Sequence, residues 1–260
     1  MILRVSCNLS FHIEDSTALI FMLRPYRGVL QWINRETFSI KPFLHMIESS
    51  DSYGNTCQRL VAPPGSLMLY TSAEVRVDDF QDSAPGAWFI EIQHLPHDVL
   101  LFLRPSRYCE SDRFGELARE ISADAAPGYD QVSRIVEWIR QTVQYLPGSS
   151  DFPVSASEVQ LRGYGVCRDL AHLGIALCRS ISIPARIVAG YLYRLSPMDL
   201  HAWFEVYVGG QWYAFDPTQA QLTAGRVIIA FGRDAADVPV FHQFGSGAVL
   251  NQMKVSVEKL

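Results

Sequence analysis

Residues 201–216 read HAWFEVYVGGQWYAFD, and the Gly209-Gly210 pair at their centre constrains the fold more than any other stretch. The aromatic and β-branched residues on either side favour extended backbone, and paired glycines supply the positive φ angles of a two-residue hairpin turn. A turn centred there pairs Val208 with Gln211, sets Asp216 opposite Trp203 and sets His201 opposite Thr218. Side chains two apart on a strand share a face. His201 and Asp216 therefore become diagonal neighbours, with Cβ atoms about 7 Å apart or somewhat less. A carboxylate at that reach orients the imidazole and favours its protonated form. Taken singly, a strand-edge histidine is usually solvated and Asp216-Pro217-Thr218 is an ordinary turn start; the register is what joins them.

A second stretch, GYGVCRDLAHLGIALC at residues 163–178, places Cys167 at the start of an apolar run. On a helix beginning at Cys167, the residues Leu170, Ala171, Gly174, Cys178 and Ile181 follow on one stripe, and Leu173, Ile175 and Leu177 widen it. The spacing predicts a helix buried on most sides, entered through a tight turn at Gly163 and Gly165. A thiol in the first turn sits among unsatisfied backbone N–H groups at the positive end of the dipole, which favours thiolate and offers donors to an oxyanion. Free cysteine is also among the most buried and inert residue types, so the helix alone favours a packing role. Residues Ala185–Tyr191, after Ile183-Pro184, form a strand that carries the chain beside the hairpin and brings the histidine to the thiol.

The bulk properties exclude other chemistry. The chain has 260 residues, 48% hydrophobic and 19% charged, which is ample for a core. A net charge of −5 without any basic run argues against nucleic-acid or anionic-membrane binding. The beginning Met1-Ile-Leu-Arg-Val lacks a secretory leader pattern, and no stretch is apolar enough to span a bilayer, so a cytoplasmic protein is expected. Five scattered cysteines (7, 57, 109, 167 and 178) do not make a disulfide framework. His94 and His97 flank a proline and read as a loop rather than a metal pair. Gly163-x-Gly165 lacks the third glycine of a dinucleotide fingerprint, because Arg168 stands there. No calcium-loop pattern occurs. No metal and no cofactor are expected.

Along the chain, Ile2–Ile13, Ala18–Arg24, Val29–Ile40 and Ser66–Val77 read as strands, separated by turn signals such as Pro25–Gly28, Tyr53–Asn55 and Pro63–Gly65. Past Pro105 the texture changes. Phe114–Ile121 and Tyr129–Tyr145 are helical by periodicity, and Ser155–Leu161 forms a short helical turn. The expected fold is α+β: a β-sandwich-like domain over residues 1–104, then residues 105–260 with the Cys-bearing helix packed on an antiparallel sheet that bears His and Asp.

The order GYGVCRDLAHL, IPARIVAGY, HAWFEVYVGGQWYAFDPT resembles the bacterial transglutaminase-like superfamily, whose members share papain-like thiol chemistry. The first hundred residues look like the β-rich region found before this core, and FLRPSRYCESD (102–112) looks like its linker. GRDAADVPVFHQFGSG (232–247) looks like its C-terminal segment, with Ala235 where an aromatic residue is expected. The resemblance implies Cys167 as nucleophile, His201 as base and acid, and Asp216 as orienter. The chemistry so implied is cleavage of a peptide, protein or other amide through a thioester, with the Cys167 N–H and one further donor on the oxyanion. A transamidase, or a non-catalytic scaffold keeping the fold, are the alternatives. Trp203 is the candidate substrate-binding residue, with core packing as its alternative. Asp169 and His172 are read as a salt bridge or a solvated helix face, and Arg233, Asp234 and Asp237 as a charged network near the site.

Overall fold

The computed structural model describes residues 1–28, 31–79, 83–220 and 224–260. Its architecture is α+β, with most strands antiparallel. The first strand, β1 (Ile2–Ile13), alternates buried and outward residues along its length. Leu3, Val5, Cys7, Leu9, Phe11 and Ile13 are all buried on one face, as period-two alternation requires of a half-buried strand. It pairs with β6 (Gly65–Arg76), which pairs with β3 (Trp32–Lys41). Residues 29 and 30 of the expected Val29–Ile40 strand lie outside the described residues. A second sheet contains β2 (Thr17–Phe21), β5 (Thr56–Ala62) and β4 (Met46–Ser50). The aromatic ring of Phe11 meets that of Phe21 edge-on at 6.0 Å, so the two sheets share one core. The strand β4 escapes the sequence reading because Met46–Ser50 is short and largely exposed.

The helical part begins with α1 (Gly115–Ile121) and α2 (Tyr129–Thr142). The second helix stops three residues short of the expected Tyr145. Val143 is already extended, and β7 (Gln144–Tyr145) pairs in parallel with β8 (Tyr164–Gly165). Between them α3 (Ala156–Arg162) is closed by a reciprocal cap: the Glu158 N–H donates to Ser155 Oγ and the Ser155 N–H to Glu158 Oε2. Gly163, at φ 71°, ends it in the left-handed conformation. Then comes α4 (Cys167–Ser180), buried without interruption from Asp169 to Arg179.

The third sheet has the order β11 (Gln211–Phe215), β10 (Leu200–Val208), β9 (Ala185–Leu192), β12 (Arg226–Gly232). The hairpin register is the expected one: Val208 pairs with Gln211 and Phe204 with Phe215, and Gly209 and Gly210 have φ of 58° and 93°. The edge of β12 is sealed by side-chain amides of the N-terminal region. Gln31 bonds both the N–H and the C=O of Ile228, and Asn55 does the same for Phe231. That leaves these edge groups no pairing site for another chain.

The last two strands return to the sandwich. β13 (Phe241–Phe244) pairs with β2, and β14 (Ala248–Lys259) pairs with β1 along nearly its whole length. The sheet partners of β13 and β14 thus lie at the beginning of the chain.

Candidate active site

Cys167 is the first residue of α4, half-buried, after an extended Val166. Asp169, two residues on, turns its carboxylate back to the helix start, where Oδ2 accepts from the Val166 N–H at 3.3 Å. A carboxylate here satisfies an orphan donor and complements the dipole. The same side chain accepts from Ser150 Oγ at 2.6 Å, Arg168 Nε at 3.0 Å and the Val154 N–H at 3.4 Å. One turn later, His172 Nδ1–H donates to the Val154 carbonyl at 2.8 Å while Nε2 accepts from the Ala235 N–H at 3.2 Å. Its ring stacks on Tyr108 at 5.2 Å. Burial holds this imidazole below its ordinary pKa of 6.5, consistent with the neutral tautomer these two bonds require.

Asp169 and His172 are thus not a solvated face, since both are fully buried. Asp169 does form an ion pair, with Arg168. Together the two residues tie the 150–154 loop and the 235 segment to the helix. Periodicity hid them because a buried polar residue is recognisable only by partners distant in sequence.

The hairpin brings His201 and Asp216 together. Both side chains are completely inaccessible, and His201 Nε2–H donates to Asp216 Oδ2 at 2.7 Å. Asp216 Oδ1 accepts from the Thr218 N–H at 3.0 Å and its hydroxyl at 2.7 Å. The Arg226 guanidinium stands 3.8 Å from Oδ2. From α2, Arg140 donates to the Asp216 carbonyl at 2.8 Å and to the carbonyls of Pro217 and Gln219, fixing the turn that carries the carboxylate. Although burial penalises its charge, bonding to His201 and the charges of His201 and Arg226 hold Asp216 below the usual carboxylate range.

Burial likewise opposes the charge on His201. The hydrogen bond to Asp216, and the neighbouring Cys167 and Asp216 with their charges, outweigh it and lift the imidazole to about 10. With Nε2 committed to Asp216, Nδ1 is the ring nitrogen left for the thiol; it is buried and has no hydrogen-bond partner among the described residues. Burial raises Cys57, Cys109 and Cys178 and takes Cys7 to about 12, leaving all four as thiols.

Cys167 and His201 are among the residues that line one cavity of about 420 Å³. Tyr145 also lines it, as a consequence of the β7–β8 pairing that leads into the helix. Burial first, then the charges of Cys167, Asp216 and Asp199, push its phenol to about 12, so it remains a hydrogen-bond donor. Trp203 does not line the cavity. It is 1% exposed and packs with Val188 and Ile228 beneath Tyr26 and Phe231. Its ring lies 6.4 Å from that of His201, and the Arg226 guanidinium sits over it. The expected substrate-binding role gives way to packing, because the indole is enclosed in a separate small core.

Ala235 does border the cavity. Behind it, Arg233 pairs with Asp237, which also accepts from the Tyr53 hydroxyl, while Asp234 accepts from the Tyr108 and Ala236 N–H groups. These three charges brace the C-terminal segment and do not face the thiol. His94 closes a single 3₁₀ turn, Ile92–His94, and no group of three metal-ligating side chains assembles among the described residues. Arg140, Arg226 and Tyr145 are the site's contributors that sequence reasoning missed. Nothing local marks a helix arginine as the support of a carboxylate on another element.

A crystal structure from Cytophaga hutchinsonii, of a protein proposed to be a cysteine protease, superposes with a TM-score of 0.93 at 35% identity, covering 99% of this chain and 90% of that one. An uncharacterized Mycobacterium leprae protein is 28% identical over 213 residues, 76% of this chain and 75% of its own length. A Mycobacterium tuberculosis protein is 33% identical over 146 residues, and the match spans about half of each chain. Residues 115–217 match the model of the family described as the Transglutaminase-like superfamily. These residues span α1 through β11 and include Cys167, His201 and Asp216, and the chain belongs to the transglutaminase-like superfamily.

Proposed function

We propose that the chain is a cysteine hydrolase that cleaves an amide bond through a thioester, with Cys167 as nucleophile, His201 as acid and base, and Asp216 as orienter. The observation that carries this reading is the buried His201–Asp216 bond of 2.7 Å on an imidazole that lines the same cavity as Cys167. Asp216 fixes the tautomer and stabilises the imidazolium that holds the thiol's proton. The Cys167 sulfur attacks the carbonyl carbon, and the carbonyl oxygen takes up the electron pair. The Cys167 N–H at the helix start stabilises that oxyanion, and the protonated Tyr145 phenol of the same cavity is the candidate second donor. As the C–N bond breaks, the His201 proton passes to the leaving amine and a thioester remains. His201 then takes a proton from water, hydroxide adds to the thioester, and collapse releases the acid and restores the thiolate.

The test is the rate of iodoacetamide labelling at each cysteine against pH, in wild type and His201→Ala, with peptide mapping. Labelling of Cys167 that stays fast well below pH 8 and slows in the variant is expected. An ordinary thiol titration at Cys167, unaffected by the variant, overturns the assignment and favours a scaffold that keeps the fold. With an amide substrate, incorporation of an added primary amine in place of hydrolysis identifies a transamidase.

A further inference from the structure

Resting on the hydrolase reading, the geometry points to a substrate whose acyl side carries a bulky apolar residue, seated on a wall that the β-sandwich contributes to the catalytic cavity. Phe241 of β13 and Leu250 and Met253 of β14 line the cavity that holds Cys167 and His201, together with Val238, Val240 and Leu195. The sandwich strands are thus part of the site.

A bulge builds this wall. Along β14, Gln252 pairs with Ser10 and Leu250 with Phe11, which leaves Asn251 without a partner. Residues three apart on a regular strand point to opposite faces. The extra residue restores the phase, so Leu250 and Met253 share the face of their partners Phe11 and Leu9. That face is buried elsewhere on the sheet, yet Met253 is 36% exposed. It lines the cavity that holds the Cys167 thiol, where an apolar group from a ligand would cover it.

The charges around the cavity select in the same direction. Apart from His201, its cation is Arg168, already bonded to the Asp169 carboxylate, Ser150 Oγ and the Phe152 carbonyl. The acids facing it, Asp151 and Asp199, make no ion pair within 4.0 Å among the described residues. An acidic acyl group meets two carboxylates and an apolar wall, whereas a leucine-like group meets a matching surface.

The test uses three electrophiles on the full chain: N-acetyl-leucine chloromethyl ketone, N-acetyl-glutamate chloromethyl ketone and iodoacetamide. Each chloromethyl ketone rate at Cys167 is divided by that of iodoacetamide on the same protein, so that changes in thiol reactivity cancel. The leucine probe is expected to exceed the glutamate probe by about tenfold or more in wild type, and the preference to shrink or reverse in Met253→Lys. Equal normalised rates in wild type, or a preference untouched by Met253→Lys, overturn the inference; the wild-type ratio decides even if the variant does not fold. His201-dependent iodoacetamide labelling below pH 8 in that case leaves the hydrolase reading standing. Its absence removes that reading and, with it, the substrate assignment.

Discussion

Replacing Asp216 by asparagine keeps the shape of the side chain and removes the charge on which the His201 assignment depends. Every neighbour of the carboxylate is a donor: His201 Nε2–H on Oδ2, and the Thr218 N–H and hydroxyl on Oδ1. An amide therefore sets its NH₂ against a donor whichever way it faces. The lift of the imidazole from 6.5 to about 10 is a preference for its charged form of roughly 5 kcal/mol. Burial opposes that charge, so Asp216 and Cys167 together supply at least this much, and an equal division gives Asp216 roughly 2.5 kcal/mol. Asp216→Asn should slow iodoacetamide labelling of Cys167 at pH 6 by about 10- to 100-fold. It should also destabilise the fold in urea by about 3–5 kcal/mol, the usual cost of stranding one partner of a buried pair. The sign with pH is fixed. The raised His201 value stabilises the fold fully below 6.5, and this contribution is lost as pH rises through about 10. Asp216 is lowered, so its contribution is present above 3.8 and disappears on acidification below that value. Of this pair only the histidine titrates between pH 7 and 9, and Asp216→Asn should reduce the slope there. Labelling within twofold of wild type, with the slope intact, would refute the reasoning.

Three further outcomes are expected. A Cβ on Gly174 would stand 2.6 Å from the ring of Phe204, itself fully buried, so Gly174→Ala should cost about 1–3 kcal/mol by overpacking, read as a lower melting temperature. His172→Ala strands the Val154 carbonyl and the Ala235 N–H, costing about 1–3 kcal/mol for each group and speeding hydrogen exchange at Ala235. Because His172 is held neutral, wild type should lose stability as pH falls below 6.5, and the non-titrating His172→Gln should flatten that loss. Arg140→Ala frees the turn after β11, and Cys167 labelling at pH 6 should slow without any change in its response to an uncharged denaturant as large as that of Asp216→Asn; equal labelling would show that the turn holds itself.

Much of the candidate site's geometry is written in local sequence. Gly209-Gly210 fixes a hairpin register, and the register alone makes His201 and Asp216 neighbours, since turn geometry and period-two alternation act over a few residues. The apolar stripe after Cys167 likewise predicts α4 and puts the thiol at its start. What local pattern could not give is anything set by partners far apart in the chain. Trp203 reads as a site residue by proximity to His201, but Val188, Ile228 and Tyr26 enclose it. Asp169 and His172 read as a salt bridge or a solvated face; Asp169 does pair with Arg168, but loops from residues 150–154 and 235 bury both residues. Arg140 and Arg226 reach Asp216 from other elements, and β14 crosses back to β1 to turn Leu250 and Met253 toward the thiol. The sequence by itself determined the helix, the hairpin and the pairing between histidine and carboxylate, because short-range sterics and hydrogen bonding decide those. The cavity's walls, the support of the carboxylate and the sealing of β12 were decided by tertiary structure, because each is a contact between segments whose meeting no local propensity encodes.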